Sequence, residues 1–147
     1  MTVIALKDGV LACDRLHVNG HDLAREAMKL VTGDGYAAAG MGDLDECDAL
    51  HRWYRERTLE FPVPREWADP SGIIVVCSST PNMASYYSRY AEPTEYPGVW
   101  AWGSGAEVAL GAMAAGASAE EACEIACRLV TTCGGDVDSV LVPSLAP

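Results

Sequence analysis

Apolar residues in this chain fall into short runs separated by turn-forming pairs. Val3–Leu6 and Val10–Cys13 flank Lys7-Asp8-Gly9, and an Asp-Gly between two such runs predicts an opening β-hairpin. Met28–Val31 and Tyr36–Ala39 repeat the pattern around Thr32-Gly33-Asp34-Gly35, with Gly40-Met41-Gly42 ending the second strand. From Asp43 the period changes. Leu44, Cys47, Leu50 or His51, and Tyr54 share one helical face, and acids crowd the first turn, where the helix dipole favours them. Residues 61–72 contain Pro62, Pro64 and Pro70 and read as a loop.

Ile73–Cys77 then reads as a buried strand, Met83–Tyr90 as its partner across Ser79-Thr80-Pro81-Asn82, and Val99–Trp102 as a further short strand. Gly103-Ser104-Gly105 opens an Ala-rich helix to about Ala115, closed by Gly116. Ser118 and Glu121 form a capping box for a second helix, with Ala122, Ile125, Ala126 and Leu129 expected inward and a stop at Gly134-Gly135. Val137–Val142 is the last strand, and residues 143–147 form a short tail after a single domain over 1–142. Hairpins imply antiparallel sheet, so a βαβ arrangement is excluded. Consecutive helices packed on such a sheet imply an α+β layered sandwich.

Composition narrows the function classes. Among 147 residues, 10 Lys plus Arg stand against 21 Asp plus Glu, a formal charge of −11, which repels phosphate backbones and argues against nucleic acid and anionic membranes as partners. No apolar run approaches the roughly 18 residues of a membrane helix, and the first residues lack the basic-then-apolar order of a signal peptide, so a cytoplasmic location is expected. The six cysteines lie in apolar segments without metal-ligand spacing, and His17, His21 and His51 show none either. They read as mostly reduced core thiols, and no metal or cofactor is expected.

Three residues carry candidate chemistry. Lys29 lies within an apolar segment, where desolvation lowers a lysine's pKa and a nearby carboxylate raises it, so a buried Lys–Asp pair can handle protons. A packed stem with a solvated head explains it as well. Asp14, at the end of the first hairpin, could orient that lysine or simply face solvent. Thr2 becomes N-terminal once Met1 is removed, and its own α-amine, with a pKa near 8, is then a base on the same residue as the hydroxyl it would activate. A threonine that merely starts a strand is the plainer reading.

Thr2-Val3-Ile4-Ala5, Lys7-Asp8-Gly9 through Asp14-Arg15, Met28-Lys29-Leu30-Val31, Ala39-Gly40-Met41-Gly42-Asp43, Trp102-Gly103-Ser104-Gly105 and Cys133-Gly134-Gly135 together resemble the proteasome β-subunit family of N-terminal nucleophile (Ntn) hydrolases, especially its short bacterial and phage-borne members. Their shared order and spacing over nearly the whole chain carries the likeness. The resemblance implies a four-layer αββα sandwich. It implies Thr2 as nucleophile with its amine as base, Asp14 holding Lys29, Lys29 depressing the pKa of the threonine site, Gly40 as oxyanion-hole N–H donor, and Ser104 hydrogen-bonded near the amine. Arg15 and Cys133 would support that corner.

Departures from the family pattern are Val130 and Cys133, which stand where an Asp and, three residues on, a Ser are usual, and Val3 in place of a second threonine. The function implied is a threonine peptidase or amidohydrolase acting on peptide or unfolded-protein substrate, with homo-oligomeric rings or coils as the assembly; whether an ATP-dependent unfoldase serves it is not legible. A catalytically silent assembly component and a small-molecule amidohydrolase are the alternatives. Trp53, Trp67, Trp100 and Trp102 read as packing residues or interface anchors.

Overall fold

A computed structural model describes residues 2–18, 24–57, 60–62, 71–88 and 91–145; Met1, His21, Trp67 and most of the predicted 61–72 loop lie outside them. The chain opens with β1 (Ile4–Lys7) and β2 (Val10–Asp14), joined by a two-residue turn in which Asp8 and Gly9 are both left-handed, as the Asp-Gly signal requires. β3 (Leu16–Val18) and β4 (Ala24–Glu26) form a two-stranded ribbon that the apolar pattern does not announce. β5 (Leu30–Gly33) and β6 (Tyr36–Met41) make the second hairpin. Its first strand starts at Leu30 rather than Met28, so Lys29 precedes the strand and Met28 is exposed.

α1 (Leu44–Glu56) is capped by Asp43, whose carboxylate accepts from the Glu46 N–H. It buries Cys47, Leu50 and Trp53, so the contact face is rotated towards Trp53 from the predicted Leu44–Tyr54 line. β7 (Gly72–Cys77) and β8 (Met83–Tyr87) follow as expected, with β8 ending earlier. β9 (Thr94–Pro97), mostly exposed, has no apolar alternation to reveal it. β10 (Trp100–Trp102) leads to α2 (Ala106–Ala114) and α3 (Ala119–Leu129), the latter closed at its start by the reciprocal Ser118–Glu121 capping box. α3 buries Ala119, Ala122, Cys123 and Ala126, but Leu129 is 70% exposed because the last turn runs past the covered surface. β11 (Val137–Leu141) stops one residue short of the predicted Val142, and a 3₁₀ turn, Val142–Leu145, follows with Val142 fully buried in the core.

Two antiparallel sheets result, in the orders β10-β1-β2-β11 and β5-β6-β7-β8-β9. Between them pack Ile4, Leu6, Leu11, Ala37, Ile74 and Trp102 with their neighbours. The opposite faces carry Val3, Ala5 and Ala12 against α2 and α3, and Ala38, Ile73 and Val75 against α1. Because both faces of each sheet are covered, the central strands are continuous apolar runs instead of alternating ones. The layers are thus α2/α3, sheet, sheet, α1, the expected αββα sandwich. Among the described residues no helix is long and apolar enough to cross a membrane.

Trp53 joins α1 to the second sheet through edge contacts with Phe61 (ring centroids 4.7 Å apart) and Tyr87 (5.3 Å), and it is 7% exposed. Trp53→Ala is expected to lower unfolding free energy by about 3–5 kcal/mol, measured by urea denaturation, with the fold retained at low denaturant.

Candidate active site

Side-chain alternation along β1 sets the site. Val3 points to the helices, so Thr2 points the other way, into the end of the space between the sheets, where it is 1% exposed. Asp14 ends β2 opposite Val3, and its N–H donates to the Val3 carbonyl at 3.2 Å. Lys29 comes from the other sheet, just ahead of β5, and is 6% exposed. Lys29 Nζ donates to Thr2 Oγ1 at 2.5 Å and to Asp14 Oδ1 at 3.0 Å. Residues 2, 14 and 29 therefore converge.

Asp14 is fully satisfied inside the protein. Besides Lys29, its Oδ1 accepts from the Val3 N–H at 3.1 Å and from Thr2 Oγ1 at 3.4 Å, and its Oδ2 accepts from the Gly134 N–H at 3.1 Å. A buried carboxylate survives only with such partners, and the ammonium beside it cancels its charge. Gly134 belongs to a motif noted in the sequence, but its role as a carboxylate ligand was not legible there. Next to Asp14, burial pushes the Cys13 thiol up well beyond its ordinary range, which keeps that sulfur neutral.

The loop after β10 wraps the nitrogen side of Thr2. Ser104 Oγ accepts from the Thr2 nitrogen at 3.1 Å and donates to the Thr2 carbonyl at 3.3 Å, while the Gly105 N–H donates to the same carbonyl at 3.1 Å. Gly103 must be glycine for this: its φ is +92°, and a Cβ there would sit 2.3 Å from the Thr2 carbonyl oxygen. Cys133 Sγ lies 3.7 Å from Ser104 Oγ, and burial pushes its thiol up while the Ser104 contact opposes that shift. Thr132, which the sequence reading passed over, bonds Ser104 Oγ at 2.8 Å.

Two expectations need correction. The Gly40 N–H does not face the site: it donates to the Lys29 carbonyl at 2.9 Å, closing the approach of β6 to the segment before β5. Gly42, just past the end of β6, has a φ of +101°, and a Cβ there would collide with Ser71. Arg15 does not touch the Thr2–Asp14–Lys29 cluster through its side chain. It forms a bidentate pair with Asp138, at 2.6 and 2.9 Å, and its carbonyl accepts from the Ala27 N–H at 2.7 Å, tethering the segment that leads to Lys29.

A cleft of about 310 Å³, counting its open mouth, lies beside Lys29 and is lined by Gly40, Gly42, Leu44, Cys47 and His51. Burial pulls the His51 imidazole down to about 4, against a smaller opposing effect of Asp48, and its Nδ1 is buried with no hydrogen-bond partner among the described residues. Among the described residues no group of three or more His, Cys, Asp or Glu is placed to hold a metal ion.

Removing Lys29 or Asp14 alone leaves a buried charge without its partner, so Asp14→Ala is expected to cost about 3–5 kcal/mol, read by urea denaturation. The His51 shift gives a pH dependence. The unfolded chain takes up a proton at His51 below its ordinary pKa of 6.5, whereas the folded chain does so only near 4, so stability falls as pH drops through that window. The loss reaches about 3 kcal/mol at most, and His51→Leu is expected to flatten the curve of unfolding free energy against pH over the same range.

No family model matches the chain, and no curated protein matches it. Solved structures do. HslV of Trypanosoma brucei superposes with a TM-score of 0.70 at 19% identity, covering 95% of this chain and 98% of that one. The BPH protein of Thiobacillus denitrificans, in complex with epoxomicin, gives 0.69 at 19% identity, covering 95% and 97%. A second structure of that BPH gives 0.67 at 18% identity, covering 95% and 96%. Matches over nearly the full length of both partners leave no large element of either fold unaccounted for, and the chain has the αββα fold of the proteasome β-subunit-like Ntn hydrolases, the fold of HslV and BPH.

Proposed function

We propose that the protein is a proteasome-like threonine hydrolase that cleaves peptide or amide bonds with Thr2 after Met1 is removed. The observation that carries this reading is the Lys29 ammonium held at 2.5 Å from the Thr2 hydroxyl and 3.0 Å from a buried carboxylate. A cation at that distance stabilises the alkoxide that forms as the hydroxyl loses its proton, and Asp14 keeps the cation in place.

In the first step Thr2 Oγ1 bonds to the substrate carbonyl carbon and its proton passes to the free α-amine. The amine passes that proton to the leaving nitrogen as the carbon–nitrogen bond breaks, and an ester on Thr2 remains. Water then adds to the ester carbonyl and gives a proton to the amine. Breaking the carbon–oxygen bond returns Thr2 Oγ1, which recovers the proton, and a carboxylic acid leaves. The oxyanion would be held by a backbone N–H of the Gly40–Gly42 segment, which lines the cleft beside Lys29. Ser104 orients the amine.

On this reading the protein works in the cytoplasm as a homo-oligomer, and the fold shared with HslV and BPH supports the assembly. The substitutions Val130 and Cys133 are the observation that favours a second reading, a catalytically silent assembly component.

Intact mass spectrometry before and after incubation with a β-lactone separates the two. The expected result is loss of Met1 and one adduct, absent from Thr2→Ala and from Lys29→Ala that remain folded. A Met1-free protein that forms no adduct would establish the silent component instead. Small-amide turnover without peptide cleavage would assign an amidohydrolase.

A further inference from the structure

Ser104 Oγ accepts from the Thr2 nitrogen, and among the described residues its bonding is complete. A serine hydroxyl has one proton and two acceptor positions. The proton goes to the Thr2 carbonyl (3.3 Å), one acceptor position takes the Thr2 N–H (3.1 Å), and the other takes the Thr132 hydroxyl (2.8 Å). The Thr132 bond is the shortest of the three. Cys133, the neighbouring side chain on that side, lies 3.7 Å away and offers only a weak sulfur contact, and Val130 has no polar side-chain group at all. Thr132 is held there because α3 ends at Leu129 and the chain turns through a Cys133 N–H to Val130 carbonyl bond of 3.1 Å before Gly134 reaches Asp14. One short turn thus contacts both the carboxylate and the serine of the site.

We propose that Thr132 is a positioning residue for the reaction, whose hydroxyl fixes Ser104 and through it the orientation and proton affinity of the Thr2 amine. This rests on the threonine-hydrolase reading above and adds to it the group that stands in where Val130 and Cys133 supply none. The physical effect has a sign. The hydroxyl proton of Thr132 places the positive end of a dipole on Ser104 Oγ, which makes that oxygen a poorer acceptor for an ammonium. Thr132 therefore favours the neutral amine, the form that can take the proton of the hydroxyl. Without it, Ser104 would be free to rotate and would accept more strongly from the protonated amine.

The test is the rate of Thr2 acylation by a β-lactone as a function of pH, followed by intact mass on the Met1-free protein, for wild type, Thr132→Val, Thr132→Ala and Thr132→Ser. The loss of one orienting hydrogen bond, about 1 kcal/mol, predicts acylation about fivefold slower in the Val and Ala variants. Their acid limb should also move to higher pH, while Thr132→Ser, which keeps the hydroxyl, should restore both the rate and the limb. Two substitutions of different bulk guard against a variant that fails to fold, and urea midpoints report folding directly. Val and Ala variants that react like wild type would overturn the proposal. So would slower variants with an unmoved limb and no recovery in Thr132→Ser, since a purely structural contact behaves that way. A wild type that forms no adduct at Thr2 overturns the hydrolase reading itself, and this inference with it, whereas reactive wild type with unaffected variants removes this inference alone.

Discussion

The Asp14 carboxylate lies out of water in contact with a lysine ammonium, a threonine hydroxyl and the N–H groups of Val3 and Gly134, and those four partners come from three stretches of chain separate from its own strand. A charge in that position is tolerable only while its partners stay put, so its satisfaction ties together the start of β1, the end of β2, the segment before β5 and the turn after α3. The same condition holds Thr2 between the two sheets. Geometry that a reaction would need is here also geometry that the folded state needs, which is why the site is buried and dense with hydrogen bonds although it lies at the rim of the sandwich.

Around it the layers are thin. Ala5, Ala12, Ala37, Ala38 and Ala39 fill sheet positions that larger side chains often occupy, and Ala109, Ala119, Ala122 and Ala126 face Ala5 and Ala12 from the helices. Small residues let backbones approach closely, so a chain of 147 residues can assemble four layers with covered faces. The larger contacts are concentrated where a layer needs anchoring, as at Trp53 beneath α1 and at Trp102, whose ring meets Tyr96 edge-on between the sheets.

Legibility in the sequence followed the strength of the local signals. Asp8-Gly9, the Ser118–Glu121 box and the uninterrupted apolar run at 73–77 each have a short-range physical cause, and each appears in the structure where the pattern puts it. The β3–β4 ribbon and β9 escaped because they are short pairs with little apolar surface to bury, so nothing in their residues marks them. Leu129 misled because helical periodicity says which residues share a face but not where the partner layer stops. Thr2, Asp14 and Lys29 were recoverable because a likeness to a known arrangement joined residues distant in the chain. Gly40 and Thr132 show the remaining gap: which N–H is already bonded, and which hydroxyl reaches a serine, depend on three-dimensional pairings that no local pattern encodes.

Lys7 and Lys29 are the only lysines in the chain. Lys29 is enclosed at the site, and Lys7 directs its ammonium to the Met113 and Ala117 carbonyls at 3.1 and 2.8 Å, closing the exposed end of α2. The outer surface therefore carries its positive charge on arginine, whose guanidinium resists acylation and aldehyde chemistry under conditions that modify amines. For reagents that react with primary amines, this protein has few addresses: two engaged side chains and the amino group at its own beginning. Surface immobilisation, fluorophore coupling and amine cross-linking between copies would therefore find little free amine to react with, an inversion of the usual situation in which lysines are scattered over the surface.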